Sequence, residues 1–134
     1  MSESANISME PIRLLLVDDE EGYVNVLANR LGKRGMDVTK AYSGTGALQA
    51  LRANDFDVVV LDLKMEDMDG IEVLQVIKQL DATIEVIMLT GHGSQTAAKA
   101  GLEHGAYDYL TKPCELDELL EKIYEAYECR KKNI

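Results

Sequence analysis

Val58-Val59-Val60-Leu61-Asp62-Leu63-Lys64-Met65 is the stretch around which the chain reads. Three consecutive valines are stiff at χ1 and suit a strand. The run does not alternate apolar with polar residues, which predicts a strand covered on both faces, as in a parallel sheet. It ends on Asp62, placing a carboxylate at the carboxyl edge of that sheet. Open α/β sheets bind ligands at this edge.

Similar apolar runs flank it on either side. Ile12–Val17 reads as a first strand ending at Asp18-Asp19, and Asp37–Tyr42 as a second, alternating one. The third is Phe56–Asp62, the fourth is Ile84–Leu89 ending at Thr90, and the fifth is Ala106–Leu110, followed by Thr111-Lys112-Pro113. Between them the apolar spacing turns helical. Val24, Leu27 and Leu31 mark a helix from Glu20 to about Gly32, with Gly32 and Gly35 as stop signals. Ser43 is a candidate cap for a helix carrying Ala47, Leu48 and Leu51, which Asn54-Asp55 breaks. After the acidic loop Glu66–Gly70, Asp69 can cap a helix through Ile71, Leu74, Ile77 and Leu80. Ser94 can cap a fourth helix to about Glu103, stopped by Gly105, and Glu115 to about Arg130 forms the last. Strict alternation of five strands and five helices predicts an α/β fold, a three-layer α/β/α sandwich around a parallel sheet.

Length and composition narrow the function classes. The 134 residues fit one domain, and 46% apolar content fits a globular one. With no Trp and a single Phe, the core must be mostly aliphatic. A net charge of -10 argues against direct nucleic-acid contact or an anionic membrane surface, both of which need clustered Lys and Arg. Cys114 and Cys129 match no metal spacing, and no apolar run approaches a membrane span. A reduced, cytoplasmic protein is expected. Residues 1–11 read as a flexible leader, 12–130 as the domain, and 131–134 as a short tail with no effector domain in this chain.

The strand ends carry the chemistry. In a parallel sheet Asp18, Asp19, Asp62, Thr90 and Lys112 all reach one edge. Taken singly, each has a plain structural explanation: an Asp caps helices, Thr before Gly starts turns, and Lys-Pro is a common turn step. Together, three like charges at one edge are costly without a cation. Lys112 can offset one, and a hard divalent ion such as Mg2+ suits oxygen ligands.

The set Asp18-Asp19, Asp62, Thr90 and Lys112-Pro113, in that order after strands one, three, four and five, resembles the receiver domain of bacterial two-component response regulators. The resemblance covers about residues 12–128. It implies a flavodoxin-like (βα)5 fold with strand order 2-1-3-4-5. It implies that Asp62 accepts a phosphoryl group from a sensor histidine kinase or histidine phosphotransfer protein. Mg2+, with Mn2+ as a substitute, would be held by Asp18, Asp19, Asp62 and the Lys64 backbone carbonyl. Lys112 and Thr90 would serve the phosphoryl oxygens, with backbone N–H groups near Lys64 and Gly91. Thr90 and Tyr109 would form a switch. The composition alone reads Tyr109 as a half-buried strand tyrosine, and Tyr107 competes with it, two residues earlier on the same expected face. The output face would be helix four, strand five and helix five, binding a downstream protein or a second copy of the chain. The resemblance also implies a cis bond between Lys112 and Pro113.

Departures from the family pattern stand out. Glu66 occupies a position where the family commonly has proline, which predicts a more mobile and more acidic loop. Lys64 and His92, each two residues past a site residue, would tune the lifetime of the phosphoryl group. Cys114 reads as a small packing residue. Two other readings exist. A phosphatase of the haloacid dehalogenase class needs a second Asp where Lys64 stands, and no segment offers a substrate cap. A phosphorylation-independent interaction module of the same fold would have no need of the full site set.

Overall fold

The computed structural model describes residues 10–91 and 95–134. Five parallel strands form one sheet in the order β2-β1-β3-β4-β5. The strands are β1 (Arg13–Val17), β2 (Asp37–Ala41), β3 (Val58–Asp62), β4 (Glu85–Thr90) and β5 (Asp108–Thr111). The helices between and after them are α1 (Glu21–Lys33), α2 (Gly44–Ala53), α3 (Gly70–Leu80), α4 (Gln95–Glu103) and α5 (Leu116–Lys132).

β3 is buried at every position and lies between β1 and β4. Its side chains alternate between two cores. Val58 and Val60 join Leu14, Leu16, Ile87 and Leu89 against α1 and α5. Val59 and Leu61 join Leu15, Val17, Val86 and Met88 against α2 and α3. Helices on both faces explain why the strand shows no polar alternation. Burying each such side chain contributes about 1.5–3 kcal/mol.

The helices follow their own stripes. Val24, Leu27 and Leu31 are the buried side of α1, and Leu119, Leu120, Ile123 and Ala126 that of α5. Ser43 caps α2 by accepting the Gly46 N–H, and Asp69 caps α3 by accepting the Ile71 N–H. The expected cap at Ser94 lies outside the described residues. Gly32 sits inside α1; the residue that ends the turn is Gly35, whose φ of 89° favours glycine.

Two expected strand starts shift by two residues. β3 starts at Val58 rather than Phe56, because Asp57 instead binds Arg13 at the opposite edge of the sheet. β5 starts at Asp108 rather than Ala106, because the Ala106 N–H is taken by the Gly101 carbonyl at the end of α4. That delay also separates two tyrosines expected on one face. Tyr107 precedes the strand and packs on the α1/α5 core, whereas Tyr109 packs on the α2/α3 core. Period-two alternation applies only within the strand proper.

Candidate functional site

The carboxyl edge of the sheet gathers the charged groups. β1 delivers Asp18 and Asp19, and β3 delivers Asp62. One oxygen from each of the three carboxylates falls within 4.8 Å of the others. Asp18 is fully buried and Asp62 is 7% exposed. Lys112 reaches in from the loop after β5. Its Nζ lies 2.6 Å from Asp18 Oδ2, 3.1 Å from Glu20 Oε1 and 3.7 Å from Asp62 Oδ2. The same ammonium stands 4.8 Å from the centre of the Tyr23 ring, a cation–π distance.

Each carboxylate is also held by a backbone N–H. Asp18 Oδ1 accepts from Glu20 at 3.0 Å, Asp62 Oδ1 from Lys64 at 3.2 Å, and Asp19 Oδ2 from Glu66 at 3.3 Å. Burial pushes the Asp62 carboxyl up to about 6, and the adjacent Asp18 charge adds to the rise, against the Lys64 N–H and Lys112. For Lys112, burial favours loss of its proton. Hydrogen bonds to Asp18 and Glu20 and the nearby carboxylate charges outweigh it, holding the ammonium above its ordinary value. The cluster is therefore short of positive charge even with Lys112 in place. Three hard oxygen donors at this spacing fit a small divalent cation such as Mg2+ better than a soft metal.

The remaining expected residues lie around this centre. Thr90 ends β4, is buried, and its carbonyl accepts the Lys112 N–H at 2.7 Å. Tyr109 is half-buried and pairs in register with Met88. The Lys112-Pro113 bond is cis. The Lys64 side chain is exposed, and Lys64 forms an isolated bridge with Asp69. His92 lies outside the described residues.

Four contributors escaped the sequence reading. Glu20 starts α1 without capping it, and its carboxylate goes to Lys112 instead. Tyr23, one turn into α1, supplies the ring near that ammonium. Asp67 does not face the carboxylate cluster as bare acidic charge. It accepts the Gly44 and Thr45 N–H groups and the Thr45 hydroxyl, serving as a cap for α2 from a distant loop. The loop expected to be mobile is thus tied to α2, to Asp19 and across itself. Gly70 is the fourth: a Cβ there would sit 2.6 Å from the Leu63 Cα and 2.9 Å from the Asp62 carbonyl oxygen. Only the Asp69-Gly70 step at the end of the loop could have flagged it.

A carboxylate-rich, lysine-bearing crevice at the carboxyl ends of β1, β3 and β5 in this topology defines a class of phosphosignalling domain. The chain belongs to the response regulator receiver domain family, whose sequence pattern matches residues 14–124. Members act in two-component signal transduction and take phosphoryl groups from histidine kinases. The transcriptional regulatory protein GlrR of Escherichia coli K12 is 38% identical over 122 residues, covering 91% of this chain and 28% of GlrR. The transcriptional regulatory protein ZraR of Salmonella typhimurium is 39% identical over 115 residues, covering 86% of this chain and 26% of ZraR. The chain thus spans little more than a quarter of these relatives. A CheY-like receiver domain protein from Methanospirillum hungatei superposes with a TM-score of 0.88 at 30% identity, covering 92% of this chain and 99% of that one.

Proposed function

We propose that Asp62 is the phosphoacceptor of this receiver domain. The observation that carries the reading is the crowding of Asp18, Asp19 and Asp62 within 4.8 Å, with the Lys112 ammonium 3.7 Å from Asp62. An Asp62 carboxylate oxygen forms the new P–O bond as the P–N bond to the donor histidine breaks, and the electron pair leaves with the imidazole. Lys112 pairs with a phosphoryl oxygen, exchanging part of its bond to Asp18 for the new charge. The Lys64 N–H, already directed at Asp62, serves the same group. Asp18, Asp19, Asp62 and the Lys64 carbonyl would hold Mg2+, or Mn2+ in its place. When bound, this cation supplies positive charge against the developing charge of transfer. The domain assists its own phosphorylation and dephosphorylation and turns over no separate substrate.

Thr90 moves toward the phosphoryl group, and Tyr109 follows into the space it leaves. Lys64, whose side chain is exposed, and His92 set the access of attacking water, and so the lifetime of the acyl phosphate. The output face is α4, β5 and α5, taken by a downstream protein or a second copy of the chain. The sites of action are cytoplasmic, and the donor is a sensor histidine kinase or a histidine phosphotransfer protein. The acidic balance of the chain leaves nucleic-acid contact, for a regulator of transcription, to another domain. No described helix is long and apolar enough to cross a membrane.

Beryllofluoride, which occupies the place of a phosphoryl group on a carboxylate, tests the assignment. With Mg2+ present, 15N-resolved spectra of the wild type should shift at Thr90 and Tyr109, and those of Asp62→Asn should not. Equal shifts in both proteins would reject Asp62.

A further inference from the structure

Four groups surround the Lys112 ammonium, and two of them come from one turn of α1. Asp18 and Asp62 approach its Nζ from the strand ends at 2.6 and 3.7 Å. Glu20, at 3.1 Å, and the Tyr23 ring, centred 4.8 Å away, approach from the start of α1. These two residues are three apart and so share a helix face. The Val24 N–H closes that turn onto the Glu20 carbonyl at 3.0 Å. The Tyr23 ring is half-buried and packs on the α1/α5 core. With Leu27, Cys114, Leu116 and Leu119 it lines a cavity of about 100 Å3. Its place is thus set by apolar packing between α1 and the start of α5, while its face is turned to Lys112.

We propose that Tyr23 is a positioning residue for Lys112. This inference rests on the reading of Asp62 as the phosphoacceptor, in which Lys112 pairs with a phosphoryl oxygen. A lysine head is a point charge on a flexible four-carbon stem. The ring face attracts that charge electrostatically and accepts no hydrogen bond from it in return. It therefore restrains the ammonium beside Asp62 and leaves the N–H donors to oxygen partners. The Lys112 side chain is only 17% exposed, and a cation–π contact gains strength when desolvated. An aliphatic side chain in the same space packs equally well and supplies none of this attraction. The effect is one of degree. Asp18 and Asp62 attract Lys112 whatever stands at position 23, and the ring adds to the fraction of time that the ammonium spends beside them.

The rate of phosphorylation of the full chain by acetyl phosphate and Mg2+, with Tyr23→Leu and Tyr23→Phe alongside, tests this. Tyr23→Leu keeps an apolar side chain against Leu27 and Leu119 and should be slowed roughly threefold to tenfold. Tyr23→Phe, which brings the ring back, should recover most of that loss. A wild-type rate in Tyr23→Leu would overturn the proposal. Equal slowing in both variants would overturn it too, because the role would then belong to the hydroxyl. If the wild type accepts no phosphoryl group, it is the Asp62 reading that fails, and this inference goes with it. A second measurement needs no phosphorylation and stands even if Tyr23→Leu does not fold. A ring facing the ammonium should move the protons on the adjoining Lys112 Cε upfield of the ordinary lysine position in side-chain NMR spectra. The wild type and Tyr23→Phe should both show that displacement. An ordinary lysine position in the wild type would overturn the proposal.

Discussion

Lys112 is the residue on which the charge balance at the sheet edge turns. Its ammonium touches two aspartates and Glu20 and is itself mostly buried. Removing one partner of a buried pair typically costs about 3–5 kcal/mol, because the other charge is left unpaired. Lys112→Met should therefore lower the melting temperature in Mg2+-free buffer at pH 7, and added Mg2+ should recover part of the loss. Asp62→Asn should move the other way without metal, gaining on the order of 1 kcal/mol as one like charge leaves the cluster. Paired melting curves with and without Mg2+ check both signs; loss of stability in Asp62→Asn would mean that attraction to Lys112 dominates over repulsion by Asp18. The five site residues could be picked from the sequence because a strand end announces itself: an apolar run stops on a polar residue. Glu20 and Tyr23 could not, because a helix start rich in acid looks the same whether its carboxylate faces solvent or a lysine from the far end of the chain.

Elements place these side chains, and their joints are tight. α3 begins so close beneath β3 that Gly70 has no room for a Cβ. Gly70→Ala must push Leu63 and the Asp62 backbone apart, at a cost of about 1–3 kcal/mol. Urea unfolding should register that loss, and the Asp62 amide shift should change with it; a neutral substitution would mean that α3 slides freely. α2 has two caps of different origin. Ser43→Ala should cost about 1 kcal/mol, a usual value for a lost N-cap. The Ser43 cap was legible because it is local: the hydroxyl reaches three residues onward in its own chain. The Asp67 cap was not, because it is long-range: Asp67 comes from a loop 22 and 23 residues away. The same limit explains the tyrosines. Period-two alternation assigned Tyr107 and Tyr109 to one face, but the end of α4 takes the Ala106 N–H and delays the strand.

Across the whole molecule, the sheet has a second ionic edge opposite the site. There Asp57 takes Arg13 at 2.9 Å and Arg130, from the far end of α5, at 3.0 Å. Burial opposes ionisation of Asp57, but the hydrogen bonds from Arg13 and the charges of both arginines outweigh it and hold the carboxyl below its ordinary value. A depressed carboxyl contributes stability above its unfolded pKa, near 4, and loses it as pH falls through the lower folded value. Wild type should therefore exceed Asp57→Asn in stability at pH 7, and the gap should close below about pH 4; a gap that stayed constant in urea unfolding from pH 7 to pH 3 would contradict this. The global order of strands was expected only by resemblance, since alternation of strands and helices is silent about which strand neighbours which. What alternation did show was that every strand end reaches one edge, and the central claim rests there. Its most direct test is the mass of the intact protein after incubation with acetyl phosphate and Mg2+. The account predicts a single added phosphoryl group on the wild type, mapped to the peptide containing Asp62, absent without Mg2+ and absent in Asp62→Asn. No adduct on the wild type, or an equal adduct on Asp62→Asn, would contradict it.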